Sequence, residues 1–186
     1  MLKEELRSIY SEKRNQVPED TLTDNSLQIA NTLLTVPIWD FDYYHLFLPI
    51  ASKKEIDTGF VLSILQGKDK NIVLPKISGK STLSHFLLMD NTVLRANPWG
   101  IPEPVDGLEV PLSKIDVVFV PLLAFDLSGH RVGYGKGFYD TFLRQCRADV
   151  IKIGLSFFGP VERITDSNSS DVSLDFCITP DQVYSF

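Results

Sequence analysis

The run Asp126-Leu-Ser-Gly-His-Arg-Val-Gly-Tyr-Gly-Lys-Gly-Phe-Tyr-Asp140 holds the residues best suited to chemistry. Gly133, Gly135 and Gly137 alternate along it, with Arg131 and Lys136 beside them. Glycine reaches positive φ and lets a backbone come close to a ligand, so such a turn can aim several N–H groups at one anion. Phosphate is the natural guest. If the residues after Gly137 are helical, their N-terminus adds partial positive charge at the same place. The spacing is neither the Walker pattern nor the dinucleotide fingerprint, so a merely tight, basic connection stands as the other reading. Asp140 is either the carboxylate that a Mg²⁺ ion bridging phosphate oxygens needs or a complement to the helix dipole.

The elements that must position this run follow from periodicity. Leu2, Leu6, Ile9 and Tyr10 predict a first helix, and Leu27, Ala30, Leu33 and Leu34 a second, capped at Thr23 or Asp24 and ended by Pro37. Tyr43 to Leu48 reads as a buried strand. A third helix should follow Thr58 and stop near Gly67, ahead of a strand at Asn71 to Leu74. Leu83 to Met89 is strand-like, whereas Asn97 to Pro111, with four prolines and two glycines, reads as a loop. Strand Ile115 to Pro121, helix Phe138 to Arg147 and strand Val150 to Ser156 form a βαβ unit. Arg163 falls in a short helical stretch, and a last strand carries Leu174 to Thr179. This alternation predicts one three-layer α/β/α domain over residues 1–186 with a mostly parallel, Rossmann-like sheet. Its ligand should lie at the carboxyl ends of the strands.

Composition bounds the function. A chain of 186 residues with 44% hydrophobic residues can fill one core. The formal net charge of -6 argues against a broad nucleic-acid surface and leaves room for a local basic pocket. Cys146 and Cys177 form no metal-ligand spacing, the N-terminal segment is charged, and no apolar run spans a bilayer, so a cytoplasmic protein is expected. Nothing in the sequence identifies a protein partner. His45, His85 and His130 sit in no nucleophile-base pattern, and hydrogen-bonded structural roles are expected for them.

The run PLLAFDLSGHRVGYGKGFYD closely resembles the signature of the 5-formyltetrahydrofolate cyclo-ligase, or methenyltetrahydrofolate synthetase, family. The likeness includes Lys3 and Arg7 as an early Lys-x-x-x-Arg, Glu55 to Thr58, Trp99 to Pro104, and Leu174 with Asp175, in the family's order. It implies an ATP- and Mg²⁺-dependent ring closure of 5-formyltetrahydrofolate to 5,10-methenyltetrahydrofolate, with ADP and phosphate released. Lys136 and Arg131 would neutralise developing phosphate charge. ATP would also meet Lys3, Arg7, Gly133, Tyr134, Gly135, Gly137, Phe138 and Tyr139. The folate would meet Ile50, Asp57, Trp99, Tyr134, Gly135, Lys136 and Phe138, and Asp140 with Asp175 would hold Mg²⁺.

Each implied role has a plainer counterpart. Lys3 and Arg7 share a helix face and also read as solvated charges. Tyr139 suits the core as well as the site, Trp99 could be a rim aromatic, Asp57 a helix cap, and Asp175 a strand-end cap. Some relatives have Arg where this chain has Tyr134, and Tyr where it has Phe138, which removes one fixed charge and one hydroxyl from the turn. Two rival functions remain: a nucleotide- or folate-binding regulator without turnover, and a sugar-phosphate isomerase-like enzyme on a related scaffold.

Overall fold

Leu6, Tyr10 and Arg14 recur every four residues and are buried along one face of helix α1, Lys3–Asn15. The Glu5 carboxylate accepts the Leu2 N–H at 2.9 Å, closing the helix start. Helix α2, Glu19–Leu33, begins ahead of the expected cap at Thr23 or Asp24, because Pro18 takes the N-cap position and Glu19 and Asp20 complement the dipole. Strand β1, Tyr43–His45, is shorter than expected. The residues after it leave the sheet and wall the cavity described below. Helix α3, Gly59–Gly67, and strands β2, Asn71–Ile77, and β3, Leu83–Leu87, follow the sequence pattern. The computed structural model describes residues 1–186.

Asn97 to Pro111 is not an irregular loop throughout. Strand β4, Leu94–Ala96, pairs antiparallel with β5, Pro102–Pro104, as Arg95 opposes Glu103. Pro102 and Pro104 are two apart, so both donor-less nitrogens face the same side of the ribbon. After β6, Val117–Pro121, a second small ribbon intervenes, made of β7, Ala124–Phe125, and β8, Arg131–Val132. Helix α4, Phe138–Leu143, is shorter than expected. Strands β9, Ile151–Leu155, and β10, Phe176–Ile178, come next, followed by β11, Val183–Ser185, which the sequence pattern missed. Arg163 lies in bends and turns, not in a helix.

The main sheet has seven strands in the order β11-β10-β9-β6-β1-β2-β3. Its inner strands are parallel and the two edge strands are antiparallel. Alternate side chains bury opposite faces, as a period of two demands. Tyr44, Val117, Phe119 and Ile153 pack under α2 and α3, while Val73, Val118, Val120 and Cys177 face α4. The expected layering of helices on both sides of a mostly parallel sheet is present. Helix α1 lies apart, with Leu6 and Tyr10 on Ala124 and Val132 of the second ribbon. The chain runs outward in opposite directions from β1 and from β6, so these neighbours mark the switch point of the topology.

Candidate active site

A cavity of about 650 Å³ opens at this switch point, between Phe47 and Leu48 beyond β1 and Pro121 at the end of β6. The glycine turn forms one wall. Gly135 and Gly137 have φ of +83° and +71°, the left-handed region that glycine enters without a Cβ clash. Gly133 is not left-handed; its carbonyl instead accepts from Arg7 Nε at 2.9 Å. The turn follows the β7–β8 ribbon and not β6 directly. Helix α4 has only six residues, so the positive character of this wall comes from the turn's own N–H groups and the cations around it and not from a helix dipole.

Those cations come from distant segments. Lys3 and Arg7 of α1 line the cavity with Arg131 and Lys136, so the solvated-face reading of the first pair does not hold. Lys3 Nζ bonds Asp171 at 2.5 Å. Burial alone would raise the Asp171 carboxyl, but hydrogen bonds from Lys3 and the Asn168 N–H bring it below its ordinary value. Lys136 is exposed at the mouth and enters no ion pair. Arg131 is buried, donates to the Val172 carbonyl and bonds Asp140 Oδ1 from Nη2 at 2.8 Å. Burial pulls the Arg131 pKa down, and the Asp140 carboxylate opposes that shift.

The structure does not bring Asp140 and Asp175 together. Asp175 precedes β10 and so stands at the amino end of a parallel strand, where its Oδ2 takes the Lys152 N–H at 2.7 Å and Lys152 Nζ at 2.8 Å. It does not line the cavity. Asp140 does, with Oδ1 engaged by Arg131 and the Val172 N–H and its second oxygen free of protein donors. No three His, Cys, Asp or Glu side chains gather anywhere as a metal cluster. These donors fit a Mg²⁺ ion held by one carboxylate with phosphate oxygens and water, and not a protein cage.

The wall that meets the turn at Tyr134 differs from expectation at one carboxylate. Ile50 lines the cavity, but Asp57 does not: its Oδ1 turns back onto the Gly59 N–H at 2.8 Å and fastens the start of α3. Glu55, two residues earlier, is the acid in the wall and is 5% exposed. Its Oε2 accepts the Ile50 N–H at 2.7 Å and its Oε1 the Tyr134 hydroxyl at 2.6 Å. Burial lifts the Glu55 pKa, opposed by Tyr134, the Ile50 N–H, Arg14 and Lys53.

Trp99 sits at the tip of the β4–β5 ribbon, 63% exposed, and reaches the cavity from above. Asn97 Oδ1 holds the Trp99 and Ile101 N–H groups, while its Nδ2 donates to Glu103, which also takes the Ile77 N–H from β2. Phe138 and Tyr134 line the cavity too. Tyr139 reaches the cavity while packing against both large core clusters, so the core reading holds and the side chain is also placed at the cavity wall.

Two of the three histidines depart from expectation. His130 bonds Asp126 at 3.2 Å, but both His45 ring nitrogens and His85 Nδ1 are buried without a partner. The His45 and His85 rings lie 5.1 Å apart against Phe142. Burial raises the Cys146 thiol to about 11, which removes it as a nucleophile at neutral pH.

Three site residues escaped the sequence. Asp171 lies in a stretch without period, and Glu55 stands beside a more conspicuous acid. Arg14 left one sign, a charge continuing the apolar row of Leu6 and Tyr10.

The model of the 5-formyltetrahydrofolate cyclo-ligase family matches residues 1–180. The chain is 25% identical to the probable 5-formyltetrahydrofolate cyclo-ligase of Schizosaccharomyces pombe, over 97% of this chain and 96% of that protein. Against the 5-formyltetrahydrofolate cyclo-ligase of Haemophilus influenzae it is 34% identical, over 55% of this chain and 58% of the relative. The solved 5,10-methenyltetrahydrofolate synthetase of Aquifex aeolicus superposes with a TM-score of 0.85 at 31% identity, covering 100% of this chain and 93% of that one.

Proposed function

Because the chain belongs to the 5-formyltetrahydrofolate cyclo-ligase family, we propose that it converts 5-formyltetrahydrofolate to 5,10-methenyltetrahydrofolate with ATP as co-substrate and phosphoryl donor. The observation that carries this reading is the pairing of two unlike walls in one cavity. A left-handed glycine turn among cations suits a triphosphate, and a buried carboxylate among apolar and aromatic side chains suits a pterin. The formyl oxygen attacks the γ-phosphorus, ADP departs, and an iminium phosphate forms. The nitrogen at position 10 adds to that carbon and gives up its proton, which the phosphate takes as the carbon–oxygen bond breaks and it leaves. No protein nucleophile is required; phosphoryl transfer depends on alignment and charge stabilisation.

In this reading Lys136 and Arg131 neutralise the transferring phosphoryl group, while Lys3, Arg7 and the N–H groups of the turn hold the triphosphate. Glu55 takes the role expected of Asp57, accepting hydrogen bonds from the pterin's amino and ring N–H groups. Ile50, Phe138 and Trp99 cover its faces. The free oxygen of Asp140 would hold Mg²⁺, whose charge would offset that of the phosphates. Residues 1–186 act as one domain on small-molecule substrates. A cytoplasmic location belongs to the same reading; no helix is long and apolar enough to cross a membrane.

The test is an absorbance assay of the purified protein with 5-formyltetrahydrofolate and Mg-ATP, with ADP measured in parallel. Methenyltetrahydrofolate formed in equal amount to ADP, and dependent on both substrates, is the expected result. Binding of both without product would overturn the catalytic reading in favour of the regulatory one. Turnover of a sugar phosphate without ATP would favour the isomerase alternative.

A further inference from the structure

Arg14 is a guanidinium that neither the phosphate wall nor the core accounts for. It is 6% exposed and forms no ion pair. Its one side-chain hydrogen bond runs from Nη2 to the Tyr134 hydroxyl at 2.8 Å. That hydroxyl in turn donates to Glu55 Oε1 at 2.6 Å. A hydroxyl has one proton to give and lone pairs to accept with, so the chain has a single direction, from cation through phenol to carboxylate. The Ile50 N–H fixes the other Glu55 oxygen, so both ends of the carboxylate are held.

The surroundings explain how a buried, unpaired guanidinium is tolerated. A second cavity of about 250 Å³ lies behind Tyr134, lined by Ser11, Arg14, Asn15, Ser52 and Lys53. It offers solvent to the remaining Arg14 donors. Tyr134 lines both cavities and separates them, with Lys53 Nζ 4.0 Å from its ring centroid. The fixed charge that the turn loses by carrying Tyr134 where some relatives carry Arg therefore arrives from α1.

We infer that Arg14 is a positioning residue, which acts through the Tyr134 hydroxyl to keep the Glu55 carboxylate charged and aimed at the folate, and which has no part in holding ATP. This inference rests on the proposed reaction. Its signature is a split between the two substrates, because the chain ends on Glu55, whereas Lys3 and Arg7 find their partners outside it, on Asp171 and the Gly133 carbonyl. The titratable and charged groups facing Glu55 are Tyr134 from the turn, Tyr139 from α4, Arg14 from α1 and Lys53 from the segment after β1. Removing Arg14 takes away the stronger of the two positive charges that favour the Glu55 carboxylate, so Glu55 should hold its proton to higher pH.

The experiment is a double-mutant cycle on the full chain with Arg14→Leu, Tyr134→Phe and the pair, measuring KM for each substrate. Each single variant should raise KM for 5-formyltetrahydrofolate about tenfold and leave KM for ATP within about twofold. The pair should be no worse than the poorer single variant by more than about twofold, since both interrupt one chain. The acid limb of kcat/KM for the folate should move to higher pH in Arg14→Leu, and Arg14→Lys should recover part of both losses. Equal rises in both KM values, or single effects that multiply in the pair, would overturn the relay and leave Arg14 a packing residue. Should Arg14→Leu fail to fold, the near-isosteric Tyr134→Phe carries the same split. Should the wild-type protein make no product, the proposed reaction fails. The relay is then read from equilibrium binding of 5-formyltetrahydrofolate to the same variants, where unchanged affinity, or none in the wild type, sinks it.

Discussion

Arg131 and Asp140 staple the two ends of the glycine turn together, Nη2 donating to Oδ1 at 2.8 Å. The same carboxylate oxygen takes the Val172 N–H at 3.0 Å, so the staple also fixes the segment beyond β9. Asp140 is thus a structural anchor through one oxygen and open to the cavity through the other.

Asp140→Ala should therefore cost stability as well as turnover. It leaves the buried Arg131 charge unpaired, and since Asp140 is itself partly exposed, a loss of about 2–3 kcal/mol is expected in urea unfolding. A change below about 0.5 kcal/mol would mean that the staple is not holding the turn.

Lys136 is the contrasting case. Its side chain is exposed and unpaired, so Lys136→Ala should leave the urea midpoint unchanged while turnover falls about tenfold or more, as expected when one charged contact to the transferring phosphoryl group is lost. Full turnover would remove Lys136 from the mechanism.

Gly135→Ala tests the turn itself. A left-handed residue with a Cβ costs roughly 1–2 kcal/mol, and here the new carbon would also sit 3.2 Å from the Arg7 guanidinium. The expected outcome is a higher KM for ATP and a lowered melting temperature. An unaltered KM for ATP would show that neither the turn's conformation nor Arg7 positions the triphosphate.

The unpartnered histidines predict a pH dependence of stability. Burial holds His85 at about 4 and His45 well below 6.5, the value at which an unfolded imidazole takes up its proton. Between these values the unfolded chain binds more protons than the folded one. Their contribution is complete above pH 6.5 and is lost progressively as pH falls toward 4. Glu55, raised by burial, works in the opposite sense. Replacing His85 by Phe should flatten the fall in melting temperature across that window; an unchanged slope would show that His85 does not control it.

Much of this site was legible because it is local. Alternate glycines demand an unusual backbone wherever they fall, and Lys3 and Arg7 share a face by helical spacing alone. That the ligand site lies at the carboxyl ends of the strands followed from the alternation of strands and helices, whereas the switch point needed the strand order. What failed depended on direction and orientation. Leu174 and Asp175 were placed in a strand, but only the strand's sense shows that Asp175 enters the sheet at the end remote from the cavity. Glu55 and Asp57 lie two residues apart in an irregular segment, and the outcome turned on which one found a local N–H donor; Asp57 found that of Gly59. The β4–β5 ribbon was hidden by prolines that usually signal a loop. Pairing through the residue between them accommodates both.

The three basic side chains that α1 contributes, Lys3 and Arg7 in the cavity wall and Arg14 behind Tyr134, also bear on the order in which the molecule assembles. Lys3 finds Asp171 across 168 residues, Arg7 finds Gly133 across 126, and Arg14 finds Tyr134 across 120. Each closes a long loop, whose entropy opposes contact until the sheet has brought the partners near. The helix nearest the start of the chain is therefore expected among the last to dock, which protection of its amides late in refolding would check. A chain with its sheet formed and α1 still adrift lacks part of the phosphate wall and the support behind Glu55. Ligand binding thus becomes a report on the final docking step of folding.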